Sequence, residues 1–211
     1  MTMPPIFISS PVTAAGTIPF TMDKGTGVKE FRELTEETAM LICYEAMRDL
    51  PLKTVKLETP QGWSETKIIS GKKLAFVPIL RAGLGLIEGV TSLIPAAKIG
   101  HIGIFCEPGT HDAVKYYSKM PDDIQEREVV VIDAMLATGS SAIAAIQDLK
   151  DMGVKNIKFL CILCSPEGKN ALEAAHPDVD IFCAGMDEGL NEDGYIVPGL
   201  GDAGDRMFGT K

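Results

Sequence analysis

One stretch of this chain combines a lone acid, a run of hydroxyls and a glycine at the tip of an apolar segment. In VVVIDAMLATGSSAIAAIQDLKDMG, residues 129–153, the acid is Asp133. A turn of small residues follows, Ala137-Thr138-Gly139-Ser140-Ser141, and then a helix-like pattern begins. A strand that runs through such a turn into a helix aims several backbone N–H groups and the helix N-terminus at one volume, which favours an anion there. Thr138, Ser140 and Ser141 add hydroxyl donors. Gly139 permits a positive φ or a close approach that a side chain would block. An acid beside an anion site needs a different task, and accepting the hydroxyls of a sugar is one. Neither the GxxxxGK[ST] spacing of a P-loop nor a dinucleotide GxGxxG is present. A plain strand–turn–helix with a Ser/Thr cap carries the same local signal, so this stretch does not decide alone.

Two further stretches point the same way. FVPILRAGLG, residues 76–85, ends an apolar run with a single cation, Arg81, among Ala82, Gly83 and Gly85. A guanidinium that grips a diphosphate through paired hydrogen bonds needs that kind of backbone clearance. The C-terminal DEGLNEDGYIVPGLGDAGDRMFGTK, residues 187–211, carries almost no helix or strand signal but holds Asp202, Asp205 and Arg206 among glycines. Tyr195, Ile196, Val197 and Leu200 make it too apolar for a disordered tail. An ordered glycine-rich loop can present backbone N–H and C=O groups to a flat polar ring.

The elements that must position these residues alternate along the chain. KEFRELTEETAMLICYEAMRDL (29–50) has helical apolar spacing, and TVKLETP with SETKIIS (54–70) reads as a hairpin. Apolar runs predict strands at 73–80, 98–105, 129–133, 156–164 and 179–185, and helices fall at 85–94, 140–151 and 166–177. This order predicts a single α/β domain over 1–211, with a mostly parallel twisted sheet covered by helices on both faces. Ligands in such sheets sit beyond the carboxyl ends of the strands. Residues 1–28 read as an irregular N-terminal arm.

Composition narrows the classes of function. The net charge of −9 argues against a nucleic-acid surface, and no run approaches the ~18 apolar residues of a membrane span. The N-terminus lacks a secretory pattern and the cysteine count is odd, so a reducing cytoplasm is expected. Cys161 and Cys164 sit inside an apolar run and read as packed thiols, not as metal ligands. His101 reads as packed, His111 as part of a loop, and Trp63 as core or interface filler.

Taken together, these segments resemble the uracil phosphoribosyltransferases, members of the type I phosphoribosyltransferase class. The resemblance runs from DKGTGVKEFREL (23–34) through VPILRAGLG, IPAAKIGHIG, DAMLATGSSAIAAI and HPDVDI to GYIVPGLGDAGDRMFGTK, ending at residue 211. It implies a reaction in which uracil and phosphoribosyl diphosphate (PRPP) give UMP and diphosphate, with Mg²⁺ carried on the PRPP. It implies that Arg81 binds the diphosphate. Asp133, Ala134, Met135, Leu136, Ala137, Thr138, Gly139, Ser140 and Ser141 would hold the ribose and 5′-phosphate. Ile196, Gly201, Asp202 and Ala203 would read uracil through backbone groups, with Asp202 also near PRPP and its metal. It further implies a flexible lid over 107–121, a base-binding segment over 187–211, and a non-proline cis peptide in the Arg81–Ala82 region. Homodimers or larger assemblies with the 54–70 hairpin as an arm also follow from it, and some members take GTP as an allosteric activator.

The chain departs from the family pattern at four places. Met22 and Cys106 stand where the family carries arginines, Ala134 replaces a proline, and Ser140 replaces the second glycine of a pair. Each phosphate-facing arginine is worth about 1.5–3 kcal/mol. Losing two would weaken PRPP handling by a factor of about 10² or more unless Lys24, Lys29, Arg32 or a neighbouring subunit compensates. Three functions therefore stand beside one another: the family reaction, the same chemistry on another heterocycle or at low activity, and a non-catalytic binding or regulatory homologue.

Overall fold

The computed structural model describes residues 6–7, 18–70, 74–107 and 113–210. The chain begins with β1 (Ile6–Phe7), α1 (Ile18–Met22) and the long α2 (Val28–Ala46), and then makes the hairpin of β2 (Leu52–Thr59) and β3 (Gly62–Ile69). β4 (Ala75–Leu80) leads through a 3₁₀ turn at Ala82–Leu86 into α3 (Ile87–Leu93). β5 (Lys98–Ile99), β6 (His101–Cys106), β7 (Ala113–Lys119) and β8 (Glu128–Ile132) follow. Next come β9 (Met135–Leu136), α4 (Ser140–Asp151), β10 (Asn156–Cys164), α5 (Pro166–Ala175) and β11 (Asp180–Met186). The C-terminal part contains β12 (Gly189–Leu190), β13 (Ile196–Val197) and α6 (Ala203–Phe208).

The central sheet runs β1-β11-β10-β8-β4-β6-β7, with β5 added on β4 and β9 on β10. All its pairings are parallel except β6 with β7. The near-continuous apolar runs of β4, β8 and β10 follow from this position, since both faces of the sheet are covered. On one face α4 packs Ala142, Ala145, Ile146 and Leu149 over Val77, Val131 and Phe159. On the other, Phe31, Ala39 and Ile42 of α2 and Met207 of α6 cover Phe76, Val130 and Ile132. The register matters most at the centre. Pro78 of β4 pairs with Ile132 of β8, so the chain leaves both strands at the same edge and delivers Arg81 and Asp133 to one place.

Several elements differ from the sequence expectation. The 1–28 arm is not wholly irregular, because its described part contains β1 on the edge of the sheet and α1 against α2. Residues 187–210, which carry little local signal, contain the β12–β13 ribbon and α6. Tertiary contacts supply the order there: Met207 and Leu200 are buried in the α2-side core. The 98–105 strand divides at Gly100, where an added Cβ would meet Met120 Sδ at 2.5 Å. The helix expected over 85–94 is α only from Ile87 to Leu93. Trp63 is not core, being 73% exposed on the hairpin. His101 is half-buried. The five-residue stretch 108–112, which includes His111 and part of the expected lid, lies outside the described residues. Within the described remainder, residues 113–119 are strand β7, tied to α4 by Lys115 and Ser118, both of which donate to the Asp148 carboxylate.

Candidate active site

The turn after β8 is built from behind. Ala134 C=O accepts from Ile162 N–H at 2.9 Å, and Leu136 C=O accepts from Ser165 N–H at 3.0 Å, which fixes the turn to β10. Ser165 caps α5 by accepting from Gly168 N–H and donates its own hydroxyl to Ala137 C=O at 2.6 Å. Gly168 must be glycine, because a Cβ there would overlap the carbonyl oxygen of Ala137. Gly139 takes φ +87° and opens α4, and Thr138 and Ser140 hydroxyls lie 3.2 Å apart beside it. These contacts turn the backbone C=O groups of Ala134, Leu136 and Ala137 toward β10 and α5.

Asp133 stands immediately past the strand, its N–H donating to Leu160 C=O at 3.1 Å. Its Oδ1 accepts from Ala134 N–H at 2.8 Å. Asp133 is half-buried and borders two cavities. Burial pushes it up from 3.8 to about 7, opposed by the Ala134 hydrogen bond. A carboxyl poised there accepts hydroxyl protons readily once it is ionised.

Three adjoining cavities run past these residues. The first, about 190 Å³, is lined by Asp133, the turn from Met135 to Gly139, Ser141 and Cys106. The second, about 260 Å³, contains Arg81, Asp133, Met135, Asp202 and Ala203. The third, about 690 Å³, contains Met22, Lys24, Gly201, Asp202 and Asp205. Asp133 is common to the first two and Asp202 to the last two, so the residues read from sequence as anion turn, cation and ring-reading loop share one cleft.

Arg81 follows a cis peptide at Leu80–Arg81, one bond before the expected Arg81–Ala82 position. Its small neighbours serve a different purpose from the clearance expected of them. A Cβ on Gly83 would sit 2.5 Å from Ile132 C=O, and one on Gly85 would overlap Met207 Sδ. These glycines let the turn pack against β8 and α6. The Arg81 side chain is 55% exposed and pairs at 3.3 Å with Asp205, which is 13% exposed.

Ile196 is buried in β13, paired with Leu190. After the cis Val197–Pro198 bond the loop folds back so tightly that a Cβ on Gly199 would overlap Ile196 C=O. Asp187 accepts from Gly199 N–H at 2.8 Å and holds that bend. Asp202 caps α6 by accepting from Asp205 N–H at 2.9 Å, which sets Gly201, Asp202 and Ala203 at the helix entrance. The two positions that lack arginine fall apart from each other. Cys106 Sγ lies 3.3 Å from Ser141 Oγ at the anion turn, whereas Met22 lines the cavity of the ring-reading loop. Local sequence gave no sign of Ser165, Gly168, Asp187 or the Asp205 pairing, since each acts on a segment distant in the chain. Asp205 and Arg206 stood out only as charges among glycines.

Cys161, Cys164 and Cys183 are buried together on β10 and β11, and burial raises the thiol of Cys161. Among the described residues no group of three or more His, Cys, Asp or Glu is arranged to hold a metal ion, and no helix is long and apolar enough to cross a membrane.

The sheet order and a cleft beyond its strand ends define a protein of the type I phosphoribosyltransferase fold. Solved structures with that fold include the hypoxanthine phosphoribosyltransferase of Trypanosoma cruzi, at 9% identity, a TM-score of 0.51 and 75% coverage of both chains. The adenine enzyme of Thermoanaerobacter pseudethanolicus gives 12% and 0.51, covering 75% of this chain and 84% of its own. A structure from Aquifex aeolicus superposes far more closely, with a TM-score of 0.91 at 32% identity over 96% of this chain and 97% of the other. A model of the uracil phosphoribosyltransferase family matches residues 12–210. The uracil phosphoribosyltransferases of Geobacillus kaustophilus and Staphylococcus carnosus are 58% and 60% identical over 189 residues, 90% of either chain in each comparison. The chain belongs to the uracil phosphoribosyltransferase family.

Proposed function

We propose that this chain transfers the 5-phosphoribosyl group of PRPP to N1 of uracil, giving UMP and diphosphate. The bond from C1′ to the diphosphate oxygen breaks, the bond from C1′ to N1 forms, and the N1 proton passes to the departing diphosphate. The observation that carries this reading is the continuity of the cleft, in which Asp133 and Asp202 each border two of the three cavities.

In this reading the turn Ala134–Ser141 receives the 5′-phosphate through its amides and hydroxyls, and Asp133 accepts the ribose hydroxyls. Arg81 takes the diphosphate, and Ile196 with Gly201–Ala203 reads the ring through backbone groups. The reaction needs no covalent nucleophile. Bringing N1 against C1′ and surrounding the positive charge that develops on the sugar with the Asp133 and Asp202 carboxylates are the protein's main contributions. Mg²⁺ arrives as part of the substrate, since this ion is held by one or two carboxylates together with substrate phosphates and does not need an all-protein cage. Asp202, which borders the central cavity beside Arg81, fits that need. Residues 107–121 would form the lid, excluding water that would hydrolyse PRPP. The exposed Leu52, Leu57, Trp63 and Ile68 of the hairpin support a homodimer in which it acts as an arm. A regulator without turnover is disfavoured by the relatives' identity and by the retained Asp133 and Arg81.

The test is a product assay with purified protein, PRPP, Mg²⁺ and uracil, separating UMP by chromatography while PRPP is titrated into the millimolar range. UMP formation with a raised PRPP requirement is expected, the latter from Met22 and Cys106. Absence of UMP at saturating PRPP would overturn the proposal.

A further inference from the structure

Arg206 lines the largest of the three cavities and its backbone N–H donates to Asp202 C=O at 3.0 Å, yet no role is assigned above to its guanidinium, which ties together two distant parts of the chain. One nitrogen, Nη1, donates to Leu200 C=O at 2.9 Å and also to Thr21 C=O. The other, Nη2, donates to Asp23 C=O at 2.6 Å. Its Cζ lies 4.2 Å from the centroid of the Phe31 ring, which is fully buried and cannot move aside. The planar fork therefore meets three backbone carbonyls and one aromatic face, an arrangement that a single ammonium could not reproduce.

The position of the Leu200 carbonyl gives this contact its consequence. That oxygen and the Gly201 N–H belong to one planar peptide, so fixing the oxygen fixes the orientation of the N–H at the opposite edge. The peptide lies in a stretch with Gly199 at φ +63° and Gly201 at φ +80°. Glycine adopts either sign of φ with little penalty, so backbone propensity alone would let this peptide turn over. Arg206 removes that freedom immediately before Gly201, Asp202 and Ala203. The same guanidinium holds the Thr21–Asp23 segment against the loop, which forms one wall of the 690 Å³ cavity through Met22.

We propose that Arg206 is a positioning residue for base recognition: by clamping the Leu200–Gly201 peptide it sets the amide that reads the ring, and it acts on the base and not on PRPP, since the Asp202 carboxylate is held separately by its cap on Asp205 N–H. The inference rests on the assignment of Gly201–Ala203 to the base. It expects a split between the two substrates that general loss of folding would not produce.

The experiment measures KM for uracil, PRPP affinity and thermal midpoint for Arg206→Met and Arg206→Lys in the full chain. Arg206→Met keeps an apolar stem over Phe31 and removes all three hydrogen bonds. Its KM for uracil is expected to rise about 10- to 100-fold, with PRPP affinity within about twofold of the parent. Arg206→Lys is expected to recover part of the loss through one carbonyl. If Arg206→Met does not fold, Phe31→Leu withdraws the stacking face while keeping an apolar side chain in the core, lowers the thermal midpoint somewhat, and is expected to raise KM for uracil severalfold with PRPP affinity retained. Unchanged KM for uracil in the folded variants, or equal losses for both substrates tracking the thermal midpoint, would overturn the inference. A parent protein that makes no UMP would instead overturn the proposed reaction, so the two failures are distinguishable.

Discussion

The turn proposed to hold the phosphate and the loop proposed to read the ring line one cleft, yet they are built on opposite principles. The first is a continuous strand, turn and helix, residues 128–151, with supporting contacts from the next strand and helix along the chain. The second bends through glycines that have no regular structure to hold them. Its shape depends on Asp187 and, through Arg206, on carbonyls 183 and 185 residues away. A turn stabilised by neighbouring sequence keeps its form when distant parts loosen. A loop assembled by distant contacts can fail while the sheet remains intact.

That contrast gives the variants distinct signatures. The largest effect is expected from Asp133→Asn, which removes the charge and one of the two acceptor oxygens proposed to hold the ribose hydroxyls. The kcat/KM for PRPP should fall about 10³-fold, taking each charge-assisted hydrogen bond as ~1.5–3 kcal/mol. Stability should move the other way. The folded carboxyl holds its proton up to about 7, above its ordinary 3.8, so the stability it contributes is present at low pH and is lost as pH rises through 7. At pH ~8 the ionised group is a cost that asparagine lacks, about 1–2 kcal/mol after allowing for solvent screening. Thermal unfolding at pH ~8 and ~5 checks this, with a gain expected at both and the larger one at the higher value, because the unfolded carboxyl is already ionised at pH ~5. For the parent, PRPP affinity should weaken as pH falls below 7, because the protonated carboxyl loses acceptor strength.

A smaller and more selective effect is expected from Gly199→Ala. The added Cβ would overlap a backbone oxygen at a positive φ, so the loop must shift, at a cost of about 2–4 kcal/mol. KM for uracil should rise more than about tenfold while calorimetric PRPP binding holds. Equal loss of both would show that the two regions are not separable. The smallest effect is a gain. Cys106→Arg places a cation beside Ser141 at the anion turn and should tighten PRPP binding about tenfold without altering KM for uracil.

The anion turn was legible because its chemistry and its geometry share one stretch of chain. An apolar run, a lone acid, a glycine and hydroxyls in that order allow few backbone paths. Arg81 was legible as a cation at a strand end, but the role first read into Gly83 and Gly85 was not, because their small size is demanded by Ile132 and Met207 on other elements. The base loop was recognised by resemblance while its helix α6 and its ribbon were missed. Six residues of helix and a two-residue bridge leave no periodicity to read.

The sequence by itself determined the alternation of strands and helices, the burial of the central strands, and the placing of Asp133 and Arg81 at strand ends, because hydrophobic period and turn chemistry act over a few residues. Only the tertiary structure decided that Pro78 and Ile132 stand level, that Arg81 pairs with Asp205, that Met22 and Cys106 face different cavities, and that Arg206 closes on Thr21, Asp23 and Leu200. Those relations depend on packing between segments far apart in the chain, where a side chain's partner is fixed by the fold and not by its neighbours in sequence.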